Sequence, residues 1–91
     1  MSRRMWDSKA FGERLNEIRI WAGFTQEEAA AVLGVVRPTY SYYELGRTTL
    51  KVPDLKILAD LFRVSVAAFF QPKGSPLKHV RPARKGINPW K

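Results

Sequence analysis

The chain has 91 residues, a length that allows one small domain with a compact core. It contains no cysteine, which excludes disulfides and thiolate metal sites, and no apolar run is long enough to cross a membrane. Its net charge of +8, from 16 basic and 8 acidic residues, favours an acidic partner. The arginines near the N-terminus precede no apolar stretch, so the sequence predicts a cytoplasmic protein without a membrane partner.

The basic surplus is concentrated in the last part of the chain. Residues 1 to 70 hold ten basic and all eight acidic residues, whereas residues 71 to 91 hold six basic residues and no acid. Net charge alone therefore does not identify the helical part as a nucleic-acid-binding unit, and that interpretation needs a local feature.

The first two helices are predicted from apolar spacing and from end signals. One apolar face follows Ser8 at spacings of four, three and four residues, and it consists of Phe11, Leu15, Ile18 and Ala22. The run TQEE at 25 to 28 is a capping box, in which Thr25 caps a second helix and Glu28 reaches back to the Thr25 amide. Gly23 and Gly34 are well placed to end these two helices.

A third short helix is predicted over 37 to 45. Pro38 is compatible with it because the first helical turn leaves that backbone amide without a partner in any case. Tyr40 and Tyr43 are three residues apart, so they share one face, and we expect both in the core. Gly46 is expected to end the helix.

Two further helices complete the predicted fold. The spacing of Leu55, Leu58 and Phe62 predicts the fourth, and Ser65 can cap a fifth with the sequence VAAFF. The sequence thus predicts an all-α fold of five short helices between residues 8 and 70. Residues 1 to 7 are expected to form a flexible N-terminal segment. Residues 71 to 91, with four of the six prolines, are predicted to be an extended, disordered basic tail.

The second and third helices carry a family resemblance, since two short helices joined by a glycine-containing turn have the arrangement of a helix-turn-helix. Its motifs occur in order: FGERL (11–15), AGFTQEEAA (22–30), LGV (33–35), YELG (43–46) and LADLFRVS (58–65). This series resembles the Cro/C1-type (Xre family) helix-turn-helix domain of phage repressors and related bacterial transcriptional regulators. The resemblance implies a compact lambda-repressor-like fold whose third helix enters the major groove of double-stranded DNA.

The resemblance also implies a set of DNA-contacting residues. They are Gln26, Arg37, Pro38, Thr39, Ser41, Tyr42, Arg47 and Thr48. Gln26 corresponds to a glutamine that holds a phosphate at a helix N-terminus. Arginine suits a bidentate contact with guanine, which makes Arg37 the strongest candidate for reading a base. Arg47 and Thr48 follow the recognition helix, where contacts with the DNA backbone are common.

Other positions have implied structural roles. Arg19 and Glu44 resemble a partly buried ion pair that ties the first helix to the third in phage repressors. Two positions depart from the family pattern. Val36 lacks the serine or threonine side chain that usually caps the third helix, and Arg63 stands where the family favours glycine.

Outside the recognition helix, two surface assignments follow from the sequence. Phe69 and Phe70 together exceed what one small core needs, so we expect one of them at a dimer contact. Arg14 is expected to be a solvated charge.

Catalysis has no basis in this sequence. His79 is the only histidine and lies in the predicted tail, so no catalytic triad, histidine metal site or cofactor site is expected. The leading prediction is a sequence-specific double-stranded DNA-binding regulator, a repressor, that binds operator DNA as a homodimer or in a paired arrangement. The alternative is the antitoxin of a toxin–antitoxin pair, whose tail or phenylalanines bind a toxin. Removal of residues 72 to 91 is expected to weaken DNA binding without unfolding the domain.

Overall fold

The computed structural model describes residues 8–80. These residues form four α-helices and one 3₁₀-helix. They are α1 (Ser8–Ala22), α2 (Gln26–Leu33), α3 (Arg37–Leu45), α4 (Val52–Phe62) and the 3₁₀-helix Val66–Phe70. No strand occurs in this part of the chain, so the all-α prediction is confirmed. The last predicted helix is a 3₁₀-helix because its five residues are too few for a stable α-helix. The predicted flexible segment 1–7 lies outside the described residues.

The helix ends follow the signals in the sequence. The Thr25 hydroxyl accepts a hydrogen bond from the Glu28 amide, and the Glu28 carboxylate accepts one from the Thr25 amide, which completes the capping box. Val36 begins α3 without a side-chain cap, and a proline occupies the first turn. Arg63 ends α4 in the left-handed conformation, with φ of 60°, where glycine would be unstrained.

The core lies between the four α-helices and the 3₁₀-helix, and α2 contributes Ala29 and Ala30 to it. Its largest apolar side chains are Leu15, Ile18, Tyr40, Leu58, Phe62 and Phe69. Tyr40 and Tyr43 are both buried, with an edge-to-face ring contact at 6.0 Å, which confirms their predicted core position. Phe69 is only 1% exposed and contacts the Phe11 and Phe62 rings, so of the two phenylalanines it is not the one that is open to the expected dimer contact. Phe70 remains half exposed.

The backbones of α1 and α3 approach each other closely at two glycines. A side chain at Gly12 would clash with the Glu44 carbonyl group of α3, so only hydrogen fits there. Gly46 ends α3 with φ of 78° and lies against the backbone of Lys9. This close contact positions the exposed side of α3 relative to α1.

The first ten residues of the predicted tail differ from the expectation of a disordered arm. The Arg14 guanidinium is 1% exposed and donates hydrogen bonds to the Ala68 carbonyl at 2.8 Å, the Ser75 carbonyl at 3.1 Å and the Gln71 side chain at 3.3 Å. The expectation of a solvated Arg14 is therefore wrong. A buried guanidinium needs acceptors for its donors, and residues 68 to 75 supply them.

The end of this segment also packs against the helices. Leu77 contacts the core, the His79 ring lies 4.7 Å from the Trp21 ring, and the Val80 amide donates to the Arg63 carbonyl. Removal of residues 72 to 80 would remove the Ser75 carbonyl, one of the hydrogen-bond acceptors of Arg14. We therefore expect removal of residues 72 to 91 to lower the stability of the domain as well as its affinity for DNA. Residues 81–91 lie outside the described part of the chain.

None of the helices between residues 8 and 80 is long and apolar enough to cross a lipid bilayer.

Candidate nucleic-acid interface

The outer face of α3 presents the polar residues that the sequence singled out. Arg37 and Pro38 are exposed on the first turn, and Tyr42 is 45% exposed one turn later. Thr39 and Ser41 are partly exposed between them. The opposite face buries tyrosines against α1 and α2, so α3 is held as a rigid element with one polar face open to solvent.

Gln26 connects the two helices of the helix-turn-helix. As the first residue of α2, it accepts a hydrogen bond through Oε1 from Arg37 Nη1 at 2.9 Å. Its Nε2 donates to Glu44 Oε1, also at 2.9 Å. Since each end of the amide has a partner, the Gln26 side chain links the first turn of α3 to its last turn.

Glu44 is the buried acceptor of this network. Its two carboxylate oxygens accept hydrogen bonds from Arg19, one from Nε at 2.7 Å and one from Nη2 at 3.3 Å. The two residues thus form a bidentate ion pair between α1 and α3. Asn16 Nδ2 donates to Glu44 Oε1 at 2.8 Å. The structure thus joins the predicted pair Arg19 and Glu44 and adds two amide donors to it.

The Glu44 carboxylate is stabilised in its charged form. Burial would raise the pKa of Glu44, but hydrogen bonds from Arg19, Asn16 and Gln26 outweigh burial and hold the pKa below its ordinary value. Burial alone would lower the pKa of Arg19, but the Glu44 carboxylate outweighs burial and raises that pKa. Both groups therefore stay charged near neutral pH, and the pair remains intact.

Two further groups complete the surroundings of the pair. Arg19 Nη1 donates to the Phe24 carbonyl at 2.7 Å and so holds the turn between α1 and α2. The buried Tyr40 hydroxyl makes no hydrogen bond of ordinary geometry to the described residues. Burial, with the nearby Glu44 carboxylate, raises the pKa of Tyr40, which keeps the hydroxyl neutral.

The end of α3 carries a second basic group. The Arg47 guanidinium lies 5.9 Å from the centre of the exposed Tyr42 ring, within cation–π range. The backbone amides of Arg47 and Thr48 both donate hydrogen bonds to the Tyr42 carbonyl oxygen, with N–O distances of 2.9 and 3.4 Å. The loop therefore stays close to the helix. Arg47 and Tyr42 thus form one exposed unit at the end of α3.

The structure brings together most of the predicted site residues, but not all of them. Gln26 and Ser41 line the same small recess beside α3. Thr48 is not among the residues that line this recess; it follows Arg47 in the loop after α3 and lines an apolar depression with Phe11 and Phe70. Asn16 was missed in the sequence, although its spacing of three from Arg19 places both on one face of α1 and could have indicated it.

Comparison with known proteins agrees with this architecture. Residues 10–69 match a family model described as a helix-turn-helix domain, and the chain belongs to that family. It is 39% identical over 66 residues to the SPbeta prophage-derived uncharacterized HTH-type transcriptional regulator YonR from Bacillus subtilis, a match that covers 71% of this chain. The chain spans 58% of the length of that relative.

Two solved structures share the fold. The restriction-modification controller protein C.AhdI from Aeromonas hydrophila superposes with a TM-score of 0.62 and 26% identity, over 67% of this chain and 92% of that protein. The SOS-response transcriptional repressor LexA from Eubacterium rectale gives a TM-score of 0.67 over 97% of this chain and 92% of the solved chain. At 24% identity, the LexA match shows the fold alone.

Proposed function

We propose that this chain is a sequence-specific double-stranded DNA-binding regulator of transcription, a repressor, with α3 in the major groove. The observation that carries the proposal is the Arg37–Gln26–Glu44 hydrogen-bond series, which holds an exposed arginine on the first turn of α3. Because DNA is the partner, the protein would work in the cytoplasm. The proposal includes no catalytic role and no cofactor.

Base reading is assigned to the exposed face of α3. Arg37 has the donor geometry for O6 and N7 of guanine, a contact that contributes about 1–3 kcal/mol of discrimination. Pro38 and the Thr39 methyl group offer apolar contact to a thymine methyl. Ser41 and Tyr42 carry hydroxyl donors further along the helix, where they would meet base edges or phosphates.

Contacts with phosphates would hold α3 in register. Gln26 begins α2, where the helix dipole favours an anion, and Glu27 and Glu28 lie in the same first turn. Arg47 lies at the other end of α3, over the Tyr42 ring. Phosphates gripped at Gln26 and at the Arg47–Thr48 loop would therefore flank the recognition helix on both sides.

The proposal includes a homodimer, because one short helix reads only a few base pairs. Phe70 is the candidate contact, since its side chain is 51% exposed beside an apolar depression of about 430 Å³ that Phe11 and Val52 also line. Sedimentation equilibrium of the protein and of Phe70→Ser tests this. A dimer that Phe70→Ser weakens supports the contact, whereas monomeric wild-type protein with DNA present contradicts the dimer.

The antitoxin alternative gains no support from the relatives named above. They are described as a transcriptional regulator, a controller protein and a transcriptional repressor, and none is described as a toxin partner.

Selection of bound duplexes from a random-sequence library, followed by fluorescence anisotropy on the recovered sequence, tests the proposed function. We expect an enriched motif with guanine at a constant position and tight binding that weakens steeply with salt. Equal binding to the recovered duplex and to a scrambled duplex of the same composition would contradict sequence-specific recognition.

A further inference from the structure

Residues 71 to 75 are held on α1 by two side chains that lie one helical turn apart, Arg14 and Glu17. Arg14 donates to the Gln71 side chain and the Ser75 carbonyl, so it contacts both ends of this segment. The Glu17 carboxylate accepts the Gly74 amide at 3.0 Å and pairs with Arg14 at 2.9 Å. We name this arrangement the Arg14–Glu17 clasp.

The clasp is well defined chemically. The Gly74 hydrogen bond, helped by Arg14 against partial burial, holds the pKa of Glu17 below its ordinary value, so the acceptor stays charged. Gly74 has φ of 91°, a conformation that side-chain-bearing residues rarely adopt. The chain therefore turns sharply at Gly74, and the residue before the turn is placed beside α1.

That residue is Lys73, and it lies next to the proposed DNA surface. It lines a recess of about 210 Å³ whose other walls come from α1, α2 and α3: Glu13, Asn16, Gln26, Ser41, Glu44 and Leu45. Gln26 and Ser41 are themselves assigned to DNA. An exposed lysine from a segment far along the chain thus meets the edge of the recognition surface.

Among the residues that line the recess, Lys73 is the basic one. Glu44 is paired with Arg19 and Glu17 is paired with Arg14, but the exposed Glu13 of α1 would repel a phosphate held at Gln26. Lys73 supplies the positive charge on this side, and an ammonium group can donate to any phosphate oxygen that approaches.

We propose that Lys73 contacts a phosphate of the DNA backbone beside α3, and that the Arg14–Glu17 clasp positions it. This inference rests on the proposed function and adds to the interface a residue that lies outside the helix-turn-helix. Because the clasp orders the backbone of residues 71 to 75 before DNA binds, only the lysine side chain loses freedom on contact.

The salt dependence of binding to the selected duplex tests the contact. Each phosphate contact contributes about 0.9 to the slope of log affinity against log salt. Lys73→Gln should therefore reduce the slope by about 0.9 and weaken binding at low salt. Lys56→Gln removes the same charge from the exposed side of α4 and should leave the slope close to that of the wild type. An unchanged slope for Lys73→Gln, or an equal change for Lys56→Gln, overturns the contact.

The positioning role is tested by repeating the comparison in Glu17→Ala protein. Loss of the charged acceptor should free Gly74, so Lys73→Gln should change the slope less in this background than in the wild type. A full effect of Lys73→Gln there overturns positioning by the clasp. Wild-type protein that binds no duplex would refute the proposed function itself, whereas normal binding with an unaltered Lys73→Gln slope refutes this inference alone.

Discussion

Gln26 and Arg37, the first residues of α2 and α3, are joined by a hydrogen bond of 2.9 Å. The acceptor is Oε1 of the Gln26 side chain, and Nε2 of the same side-chain amide donates to Glu44 Oε1. Rotation of the amide would break both bonds at once, so the network sets the orientation of the Arg37 guanidinium before any partner binds. The buried Arg19–Glu44 pair thereby supports an exposed arginine.

Replacement of the buried acceptor should give a stability loss that depends on pH. Removing one partner of a buried pair costs about 3–5 kcal/mol, so we expect Glu44→Gln to be that much less stable at neutral pH. The folded-state pKa of Glu44 is lowered from 4.5, so its contribution is present above pH 4.5 and is lost as the pH falls through the folded value. Urea unfolding of both proteins across this range measures the difference. A difference that stays constant below pH 4.5 contradicts the assignment.

A side-chain cap at the start of α3 should stabilise the protein. Val36 is 66% exposed and makes no capping hydrogen bond, so Val36→Ser adds an acceptor and loses little apolar packing. We expect a gain of about 1 kcal/mol. Thermal unfolding should show this as a rise in Tm of about 4–8 °C. Val36→Ala is the matched control without an acceptor, and equal Tm values for the two variants would contradict the capping explanation.

A methyl group at Gly12 should destabilise the contact between α1 and α3. Helix propensity alone favours Gly12→Ala by roughly 0.5–1 kcal/mol. The clash with the Glu44 carbonyl acts in the opposite direction, and overpacking of this kind costs about 1–3 kcal/mol. The control is Ala31→Gly, the opposite substitution at an exposed position of α2, which measures the difference in helix propensity between alanine and glycine. Chemical denaturation should show both variants destabilised, and a stabilised Gly12→Ala would refute the close approach.

Two truncations should distinguish the role of residues 72 to 80, which pack against the helices, from the role of residues 81 to 91. Loss of residues 81 to 91 removes Arg81, Arg84, Lys85 and Lys91 and none of the contacts described above. We expect this shorter truncation to weaken DNA binding and reduce its salt slope, with little change in unfolding free energy.

Truncation after Gln71 also removes the Ser75 carbonyl from buried Arg14, and should lower the unfolding free energy by about 1–3 kcal/mol more. Equal stability of the two truncated proteins, measured by urea unfolding, would show that residues 72 to 80 do not support the fold.

Local signals in the sequence were enough to place the helices. The capping box at Thr25 and the proline in the first turn of α3 depend only on neighbouring residues, and the structure has both. The burial of Tyr40 and Tyr43 likewise follows from their spacing on one helix. These features are predictable because the interactions that produce them lie within one or two helical turns.

Arg14 shows what local patterns could not reveal. Its hydrogen-bond acceptors lie between 54 and 61 residues further along the chain, apart from the neighbouring Glu17. Proline content made residues 71 to 80 resemble a disordered arm, although contacts with α1 order them. The fold could therefore be predicted up to Phe70, while the clasp and the position of Lys73 required the tertiary structure.

The most direct test of base recognition by α3 uses the Arg37→Ala variant. Its binding to the selected duplex is compared with its binding to a scrambled duplex of the same composition. Arg37 is exposed, so the variant should keep the wild-type Tm, and a melting curve provides that control. If Arg37 reads a guanine, the preference for the selected duplex should fall by about 5- to 150-fold, which corresponds to about 1–3 kcal/mol. A preference equal to that of the wild-type protein would contradict the placement of α3 in the major groove through Arg37.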